Sequence, residues 1–355
     1  MISQDRFDEI LSRFTNTKVA VLGDFFLDLY IQLDRSLSEL SLETQKEAFQ
    51  AVDLRGQPGA AGVVVNNLSS LGAQTGAIGF VGSDGNGFTL LQALRELRVD
   101  TSLMIETAER FTPTYIKPMM REINGFNIEL NRIDIINRTP NSEKLNISLA
   151  DNLNHAIHEY DGILVLEQVK IDGNGTMSPF LRSKLRDLVK AYPGKIIMAD
   201  SRHFAHKYQG ISLKMNQSEA QRAMSFFESQ NKSEIRQDLI STSLENAKLF
   251  WQIHKKPSFI SLGEQGICGV DNNSSYYYPA FRIDGSIDIV GAGDSVLAGI
   301  GLALSAGATA SEAAYIGNLI GSIIVQQIGT TGRATQTELK KRHLEYQDQQ
   351  KTRKS

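Results

Sequence analysis

The sequence lacks several features that would place it in a common class of protein. It contains one cysteine, Cys268, so no intramolecular disulfide framework can form, and a reduced cytosolic core thiol is the expected state of this side chain. Neither a GxxxxGK[ST] loop nor a Gly-x-Ser-x-Gly segment is present. These two absences exclude a P-loop nucleotide site and the nucleophile turn of an α/β-hydrolase.

Long apolar runs and a surplus of one charge are also missing. The apolar stretches are interrupted by Gly and Ser and fall short of the ~20 residues that a membrane span needs. The polar N-terminal stretch lacks the apolar centre of a signal peptide. A formal net charge of -3 provides no basic field that would attract nucleic acid. Together these absences predict a soluble, cytoplasmic protein that binds neither nucleic acid nor a membrane.

Patterns of buried strands and amphipathic helices alternate over most of the 355 residues, beginning with the apolar run Lys18–Gly23. This alternation predicts an α/β fold with a central, mostly parallel sheet and helices on both faces. Two segments with exposed-strand patterns, about 30–57 and 112–135, interrupt it and predict one small β-sheet lid. We expect one domain over 1–340, followed by a polar, frayed tail over 341–355.

The segment DIVGAGDS, residues 288–295, carries the strongest indication of chemistry, and an apolar helix follows it. Gly291 and Gly293 allow a sharp turn and a close approach of the backbone to a ligand. Free N–H groups and the positive end of the dipole at a helix start form a site for phosphate. Asp294 would lie beside this site as the base in a phosphoryl transfer. An aspartate that merely caps a helix gives the same pattern.

The context of this segment resembles one family. DIVGAGDSVLAG resembles the C-terminal signature DTTGAGDxFxxG of the ribokinase-like (PfkB) carbohydrate kinases, and GQPGAAGVVVNNLSSLGA (56–73) and IGFVGSDGNG (78–87) are similar to its N-terminal signature. The resemblance extends from about Lys18 to Leu339. It is greatest to the heptose-phosphate kinases of lipopolysaccharide core synthesis, through VLGDFFLDLY, NRID, GEQG and QIGTTG. It implies a ribokinase-like fold, ATP and Mg²⁺, a monovalent cation such as K⁺, and a sugar or sugar phosphate as substrate.

The resemblance also implies roles for individual residues. The catalytic base would be Asp294, and the backbone N–H donors of the anion hole would be Gly291, Ala292 and Gly293. The substrate-binding residues would be Asp28, Gly59, Lys117 and Arg132. The ATP-binding residues would be Asn216, Glu219, Gly263, Gly266 and Asn318. Of these, Asn216 and Glu219 would also orient Mg²⁺ indirectly, and Asp288 would help to bind the monovalent cation. The NQSE pattern is equally typical of a helix N-cap, and a lone Lys or Arg on a strand is usually solvated.

Three positions depart from the family pattern, all on the sugar side. Val63 occupies the position of an asparagine that holds sugar hydroxyls, and valine cannot form a hydrogen bond through its side chain. The DYxKG-like segment of heptose-phosphate kinases is replaced by EQVKID, where either Glu167 or Gln168 would have to point into the cleft. Met119 replaces a basic residue. The nucleotide side therefore matches the family better than the sugar side.

The sequence thus predicts an ATP-dependent kinase that transfers the γ-phosphate to a sugar hydroxyl, with O1 of heptose 7-phosphate as the acceptor that the resemblance favours. Two alternatives remain open. One is a ribokinase-like kinase for another acceptor, such as a hexose, a sugar acid or a nucleoside. The other is a non-catalytic sensor that binds nucleotide or sugar. The predicted lid favours a homodimer, because exposed β-surfaces need their apolar face covered.

Overall fold

The computed structural model describes residues 2–227, 238–272, 274–329 and 331–354. The strands in these ranges are β1 (Lys18–Gly23), β2 (Phe25–Leu40), β3 (Glu47–Ala60), β4 (Gln74–Gly82), β5 (Met104–Thr107), β6 (Thr114–Arg121), β7 (Asn127–Glu129), β8 (Ile133–Ile135), β9 (Gly162–Glu167), β10 (Ile196–Ser201), β11 (Ser212–Asn216), β12 (Ser258–Ser261), β13 (Ile267–Asp271) and β14 (Ser274–Tyr278). The helices are α1 (Gln4–Arg13), α2 (Ala61–Ser70), α3 (Gly85–Glu96), α4 (Glu143–Glu159), α5 (Pro179–Ala191), α6 (Gln217–Met224), α7 (Leu239–His254), α8 (Ala292–Ser305), α9 (Ala310–Ile324) and α10 (Gln336–Lys354).

The large sheet gives the molecule its architecture. Within the described ranges it contains nine strands in the order β14-β13-β12-β11-β10-β9-β1-β4-β5. The strands from β12 to β5 in that order run parallel, whereas β13 and β14 are antiparallel additions at one edge. The predicted α/β fold with a mostly parallel sheet is therefore confirmed.

Helices cover both faces of this sheet, and β1 shows why its sequence is continuously apolar. Val19 and Val21 pack into the core cluster that contains α1, α2, α8 and α9. Ala20 and Leu22 pack into a second cluster with α4, α5, α6 and α7. Successive side chains of a strand point to opposite faces, so a strand buried on both faces must be apolar at every position.

A smaller second sheet is formed by the two segments that the sequence sets apart. In the described part of the chain its order is β3-β2-β6-β7, and β8 also pairs with β6. β2 and β3 form a long antiparallel hairpin, and β6 runs parallel to β2. The hairpin extends beyond the predicted 30–57 and joins the large sheet directly through β1 and α2. That the second sheet closes as a lid stays a prediction.

The C-terminal residues differ from the sequence prediction. The frayed tail expected over 341–355 is wrong for the described residues, because α10 continues through Lys354. Leu339, His343 and Tyr346 of this helix are almost fully buried. Their spacing of four and three residues places them on one helical face. A polar helix with a single narrow apolar stripe has a composition close to that of a disordered tail, which explains the error.

Other differences concern the middle of the chain. The sequence pattern predicts helices over 218–228 and 232–253, and the structure contains α6 and α7 there; residues 228 and 232–237 lie outside the described residues. Strand β11 is not predicted, because its sequence SLKMN mixes polar and apolar residues although its first four residues are buried. Among the helices of the described ranges, none is long and apolar enough to cross a lipid bilayer.

Candidate active site

The turn before α8 has the geometry of an anion site. Gly291 precedes the helix with a φ of 76°, a left-handed conformation that glycine adopts at little cost. The N–H of Ala292 donates to the carbonyl of Ile289 at 3.2 Å, so this predicted donor closes the turn in the present structure. Gly293 and Asp294 lie in the first helical turn, where N–H groups have no partner within the helix. The helix start therefore offers donors and a positive dipole beside a carboxylate.

Asp294 lies in a charged environment. Removal from water raises the pKa of Asp294 to about 7, and the negative charge of Asp200 adds to the rise. Lys214, Arg202 and a hydrogen bond from Gln168 act in the opposite direction. The Nε2 of Gln168 lies 3.3 Å from Oδ1 of Asp294. A carboxylate with a pKa near neutrality is well matched to accepting a proton at physiological pH.

Lys214 brings a positive charge to the same place. Its Nζ donates to Oδ2 of Asp200 at 2.6 Å, and its side chain is only 3% exposed. Although burial lowers the pKa of this amine, the charges of Asp200 and Glu219 raise it overall. A Cβ added to Gly293 would lie 3.2 Å from Nζ, so the ammonium group abuts the start of α8. Lys214 is not among the residues predicted from the sequence; the available signal was a lysine two positions before the predicted nucleotide residue Asn216.

Asn216 and Glu219 form a capping box at the start of α6. The N–H of Glu219 donates to Oδ1 of Asn216 at 2.9 Å, and the N–H of Asn216 donates to Oε2 of Glu219 at 2.8 Å. Burial and the neighbouring Asp200 charge raise the pKa of Glu219. The helix-capping function that the sequence left open is therefore present. The same two side chains also line the cleft, so capping fixes their position there.

A cavity of about 890 Å³ joins these groups. Its walls come from the ends of β10, β11 and β12, the segment after β14, the start of α8 and the carboxyl-terminal half of α9. The sequence-predicted residues that line it are Asn216, Glu219, Gly263, Gly266, Gly291, Ala292, Gly293, Asp294 and Asn318. Ligands of parallel α/β sheets bind at this carboxyl-terminal edge, and a cavity of this size suits a nucleotide.

Two other predicted residues hold backbone segments in place. Nδ2 of Asn318 donates to the carbonyl of Pro279 at 2.8 Å and so fixes one wall of the cavity. The carboxylate of Asp288 accepts the N–H groups of Val290 and Gly329, each at 3.0 Å. In the described ranges no group of three or more His, Cys, Asp or Glu side chains is arranged to hold a metal ion.

The predicted substrate residues meet on one face of the second sheet. Nζ of Lys117 lies 3.1 Å from Oδ1 of Asp28 and donates to the hydroxyl of Tyr30 at 3.2 Å. The hydrogen bond and the charge of Asp28 raise the pKa of Lys117 despite the opposing effect of burial. A Cβ at Gly59 would lie 2.7 Å from Oδ2 of Asp28, so only glycine leaves room for this carboxylate.

Arg132 lies beside this group on the same sheet. Its Nε donates to Oδ1 of Asp134 at 2.6 Å, and its guanidinium group stacks 4.2 Å above the ring of Tyr115. Tyr115 pairs with Asp28 in the sheet register, which puts both side chains on one face. The positive charge of Arg202 acts on the pKa values of both Tyr115 and Asp294. Asp28, Lys117, Tyr115 and Arg132 thus share one face of the second sheet.

The departures from the family pattern have clear positions. Val63 is buried, and its Cγ1 would lie 3.3 Å from a Cβ at Gly291, so valine packs under the anion-site turn. Glu167 does not point into the cleft: its carboxylate is buried with Arg182 and accepts hydrogen bonds from Ser201 at 2.7 Å and Tyr208 at 3.0 Å. Gln168 is the residue of this segment that reaches the site.

The fold and the site define the class: a ribokinase-like protein with a nucleotide-sized cavity at the carboxyl-terminal edge of its large sheet. Residues 16–162 and 203–337 match the pfkB family carbohydrate kinases. This match covers most of the chain, and the protein belongs to the pfkB carbohydrate kinase family. The family assignment made from the sequence signatures is thereby confirmed.

Relatives and solved structures agree with this assignment. The bifunctional protein HldE of Helicobacter hepaticus is 28% identical over 324 residues, which cover 91% of this chain and 63% of that protein. The chain thus spans less than two thirds of the length of this relative. Phosphofructokinase-2 from Escherichia coli in complex with potassium has a TM-score of 0.68 at 18% identity, covering 93% of this chain and 99% of that one. A ribokinase from Cryptococcus neoformans in complex with ADP has a TM-score of 0.61 at 18% identity, covering 92% and 99%.

Proposed function

We propose that this protein is an ATP-dependent kinase that transfers the γ-phosphate to a hydroxyl group of a sugar phosphate. The position of Asp294 carries this proposal. Its carboxylate, whose pKa burial raises to about 7, lies at the start of α8 and lines a nucleotide-sized cavity. Phosphoryl transfer to a hydroxyl needs a base and anion-stabilising donors at one point.

ATP would occupy the cavity at the carboxyl ends of β10, β11 and β12. Gly263 and Gly266, with φ values of 60° and 101°, bring bare backbone to the cavity wall, where a base or ribose can approach closely. Asn318 would lie near the adenine. The ADP complex of the ribokinase neighbour supports a nucleotide in a fold of this kind.

Mg²⁺ would be held through water by Asn216 and Glu219. The capping bond uses Oε2 of Glu219, which leaves the second carboxylate oxygen for a metal-bound water. Asp200 adds negative charge nearby, as its effect on the pKa of Glu219 indicates. When bound, the ion would supply charge neutralisation on the phosphate oxygens, which suits the oxygen donors present.

The chain's own groups would perform the transfer. Asp294 would accept the proton of the acceptor hydroxyl as the hydroxyl oxygen attacks the γ-phosphorus of ATP, while the bond from that phosphorus to the β-phosphate oxygen breaks and ADP leaves. The N–H groups of Gly293 and Asp294 stabilise the negative charge on the phosphate oxygens, and the ammonium group of Lys214 adds a positive charge beside them. Closure of the second sheet over the cleft would exclude water, a competing acceptor.

The acceptor would bind between the second sheet and α8. Asp28 can accept hydrogen bonds from sugar hydroxyls, while Lys117 and Arg132 supply two cations suited to a phosphate on the sugar. The acceptor that we favour is heptose 7-phosphate, whose O1 hydroxyl would receive the phosphoryl group. The similarity to the HldE protein over 91% of this chain supports this choice, as do the shared sequence signatures.

Two observations favour a different sugar as the second candidate. Val63 offers no hydrogen bond where the family has an asparagine, and Gln168 occupies the cleft in place of the DYxKG-like segment. A site that loses a polar partner discriminates sugars differently. A hexose, a sugar acid or a nucleoside would then be the acceptor, with the same base and nucleotide site.

A monovalent cation is a further proposal. Asp288 ties the segment before α8 to Gly329 after α9, and carbonyl groups of these two segments would complete a site for K⁺. The potassium complex of the phosphofructokinase-2 neighbour supports a monovalent cation in a fold of this kind. The cation would act from beside the anion hole rather than on the acceptor.

ADP release from Mg-ATP, measured with K⁺ across matched pairs of phosphorylated and unphosphorylated sugars, tests the proposal. We expect turnover with sugar phosphates, highest with heptose 7-phosphate, and little with the unphosphorylated partner of each pair. Turnover with another sugar alone would keep the kinase and reject the heptose assignment. ATP binding without turnover on any acceptor would instead support the sensor that the sequence leaves open.

A further inference from the structure

Gln168 is placed to act on Asp294, and no sequence signature assigns it a role. Its Nε2 lies 3.3 Å and 3.4 Å from the two carboxylate oxygens of Asp294. Gln168 follows the last residue of β9, whereas Asp294 lies in the first turn of α8. The contact therefore joins the carboxyl-terminal edge of the sheet to the anion site.

The backbone that carries Gln168 is held by a buried carboxylate. Asp24, directly after β1 and only 3% exposed, accepts the N–H groups of Gln168 at 2.8 Å, Val169 at 3.0 Å and Thr176 at 2.7 Å. The hydroxyl of Thr176 also donates to the carbonyl of Gly23 at 2.7 Å. Three N–H donors on one carboxylate fix both ends of the segment 168–176, so the side chain of Gln168 starts from a rigid base.

We propose that Gln168 is a positioning residue that orients the Asp294 carboxylate and favours its ionised form for proton transfer. The amide can donate a hydrogen bond without bringing a charge, which matters because Asp200 already acts on Asp294 as a negative neighbour. Lys214 and Arg202 are the positive groups that face Asp294, so the amide adds a directed donor to an environment otherwise set by charges. This inference rests on the proposed role of Asp294 as the base.

Two substitutions of Gln168 separate the loss of the hydrogen-bond donor from the addition of a negative charge. Gln168→Leu removes the donor at similar size, and Gln168→Glu replaces it with a carboxylate of nearly the same shape. Both remove a hydrogen bond that favours the charged form of Asp294, so both raise its pKa, and the glutamate adds repulsion between like charges. We expect the titration midpoint of Asp294 to rise by about half a unit to one unit in Gln168→Leu, and further in Gln168→Glu.

The ionisation of Asp294 can be measured without any acceptor. Carbon-13 NMR of protein labelled at the aspartate side-chain carboxyl carbons, with Asp294→Asn to identify the signal, gives the midpoint directly. Gln92→Glu is the matched control, because Gln92 lies on the exposed side of α3 and bonds Glu96. An Asp294 midpoint unchanged in both Gln168 variants, equal to that of the control, would overturn the proposal. This readout holds even if the acceptor is not heptose 7-phosphate.

Kinetics then distinguish positioning from contact with the sugar. With Mg-ATP and heptose 7-phosphate we expect Gln168→Leu to lower kcat about tenfold with little change in KM, and to move the acidic limb of kcat/KM to higher pH. In the Asp294→Asn background the same substitution should have almost no further effect, because Gln168 acts through that carboxylate. Two results would mean that Gln168 binds the acceptor instead. One is a loss of kcat in the double variant that equals the product of the two single losses. The other is a raised KM for the sugar with no shift in the acidic limb of the pH profile of kcat/KM. Full activity of Asp294→Asn alone would reject the base assignment itself, a result distinct from any effect of Gln168.

Discussion

Ala60 has a backbone conformation that is strained for any residue with a Cβ atom. It precedes α2 with φ 53° and ψ -116°, the values of the first central residue of a type II′ turn, where glycine is preferred. The residue sits between Gly59, which leaves room for the Asp28 carboxylate, and Ala61, whose N–H donates to the carbonyl of Asp24 at 3.0 Å. The turn therefore connects the proposed sugar site to α2, and its shape is fixed from both sides.

The substitution Ala60→Gly should stabilise the protein. Relief of the backbone strain outweighs the greater freedom of glycine in the unfolded chain, so we expect a gain of about 1 kcal/mol and a rise in Tm of about 2 °C. Thermal unfolding measures it. Ala150→Gly, in the middle of α4, is the control and should lower Tm by a similar amount, because glycine weakens a helix interior. A loss of stability in both variants would show that the Ala60 conformation carries no strain.

Among individual residues, those that belong to short local motifs could be predicted from the sequence. Those that come together only in the folded chain could not. Asp294 and Asn216 belong to signatures that can be read along the chain. Lys214 lies in the middle of β11 and Gln168 directly follows β9, so their proximity to Asp294 depends on the order β11-β10-β9 in the sheet. The choice between Glu167 and Gln168 likewise depended on which face of the sheet each side chain takes.

The second sheet exposes apolar side chains on one of its faces. Opposite its polar face, Leu54 is 65% exposed and Ile133 57% exposed, and both pair with other apolar residues, Ile31 and Ile116. An apolar sheet face of this kind in a water-exposed position marks an interaction surface. We propose that a second copy of the chain covers it, in line with the homodimer that the sequence favours.

Leu54→Lys should weaken this association. Burying a charged amine in an apolar interface is unfavourable, so we expect the dimer dissociation constant to rise at least about tenfold, as measured by analytical ultracentrifugation. Leu344→Lys, at a leucine of α10 that is 52% exposed, is the control and should leave the dimer dissociation constant unchanged. A wild-type protein that remains monomeric at high micromolar concentration would argue against the dimer.

On the scale of the whole molecule, alternating strands and helices were enough to predict the parallel sheet and the two-segment second sheet. The same pattern did not predict β11 or α10. The buried Lys214 makes β11 look polar, and the narrow stripe of Leu339, His343 and Tyr346 is masked by the charges around it in α10. Both elements depend on tertiary contacts that composition does not record.

The most direct test of this account is ADP release by the wild-type protein and by Asp294→Asn, with Mg-ATP and the best acceptor of the sugar panel. We expect turnover to fall by roughly two to four orders of magnitude in the variant, because the proton acceptor is lost. ADP affinity, measured by calorimetry, should stay near that of the wild type. A variant that keeps full turnover would contradict the account, since the carboxylate at the start of α8 would then not be the base.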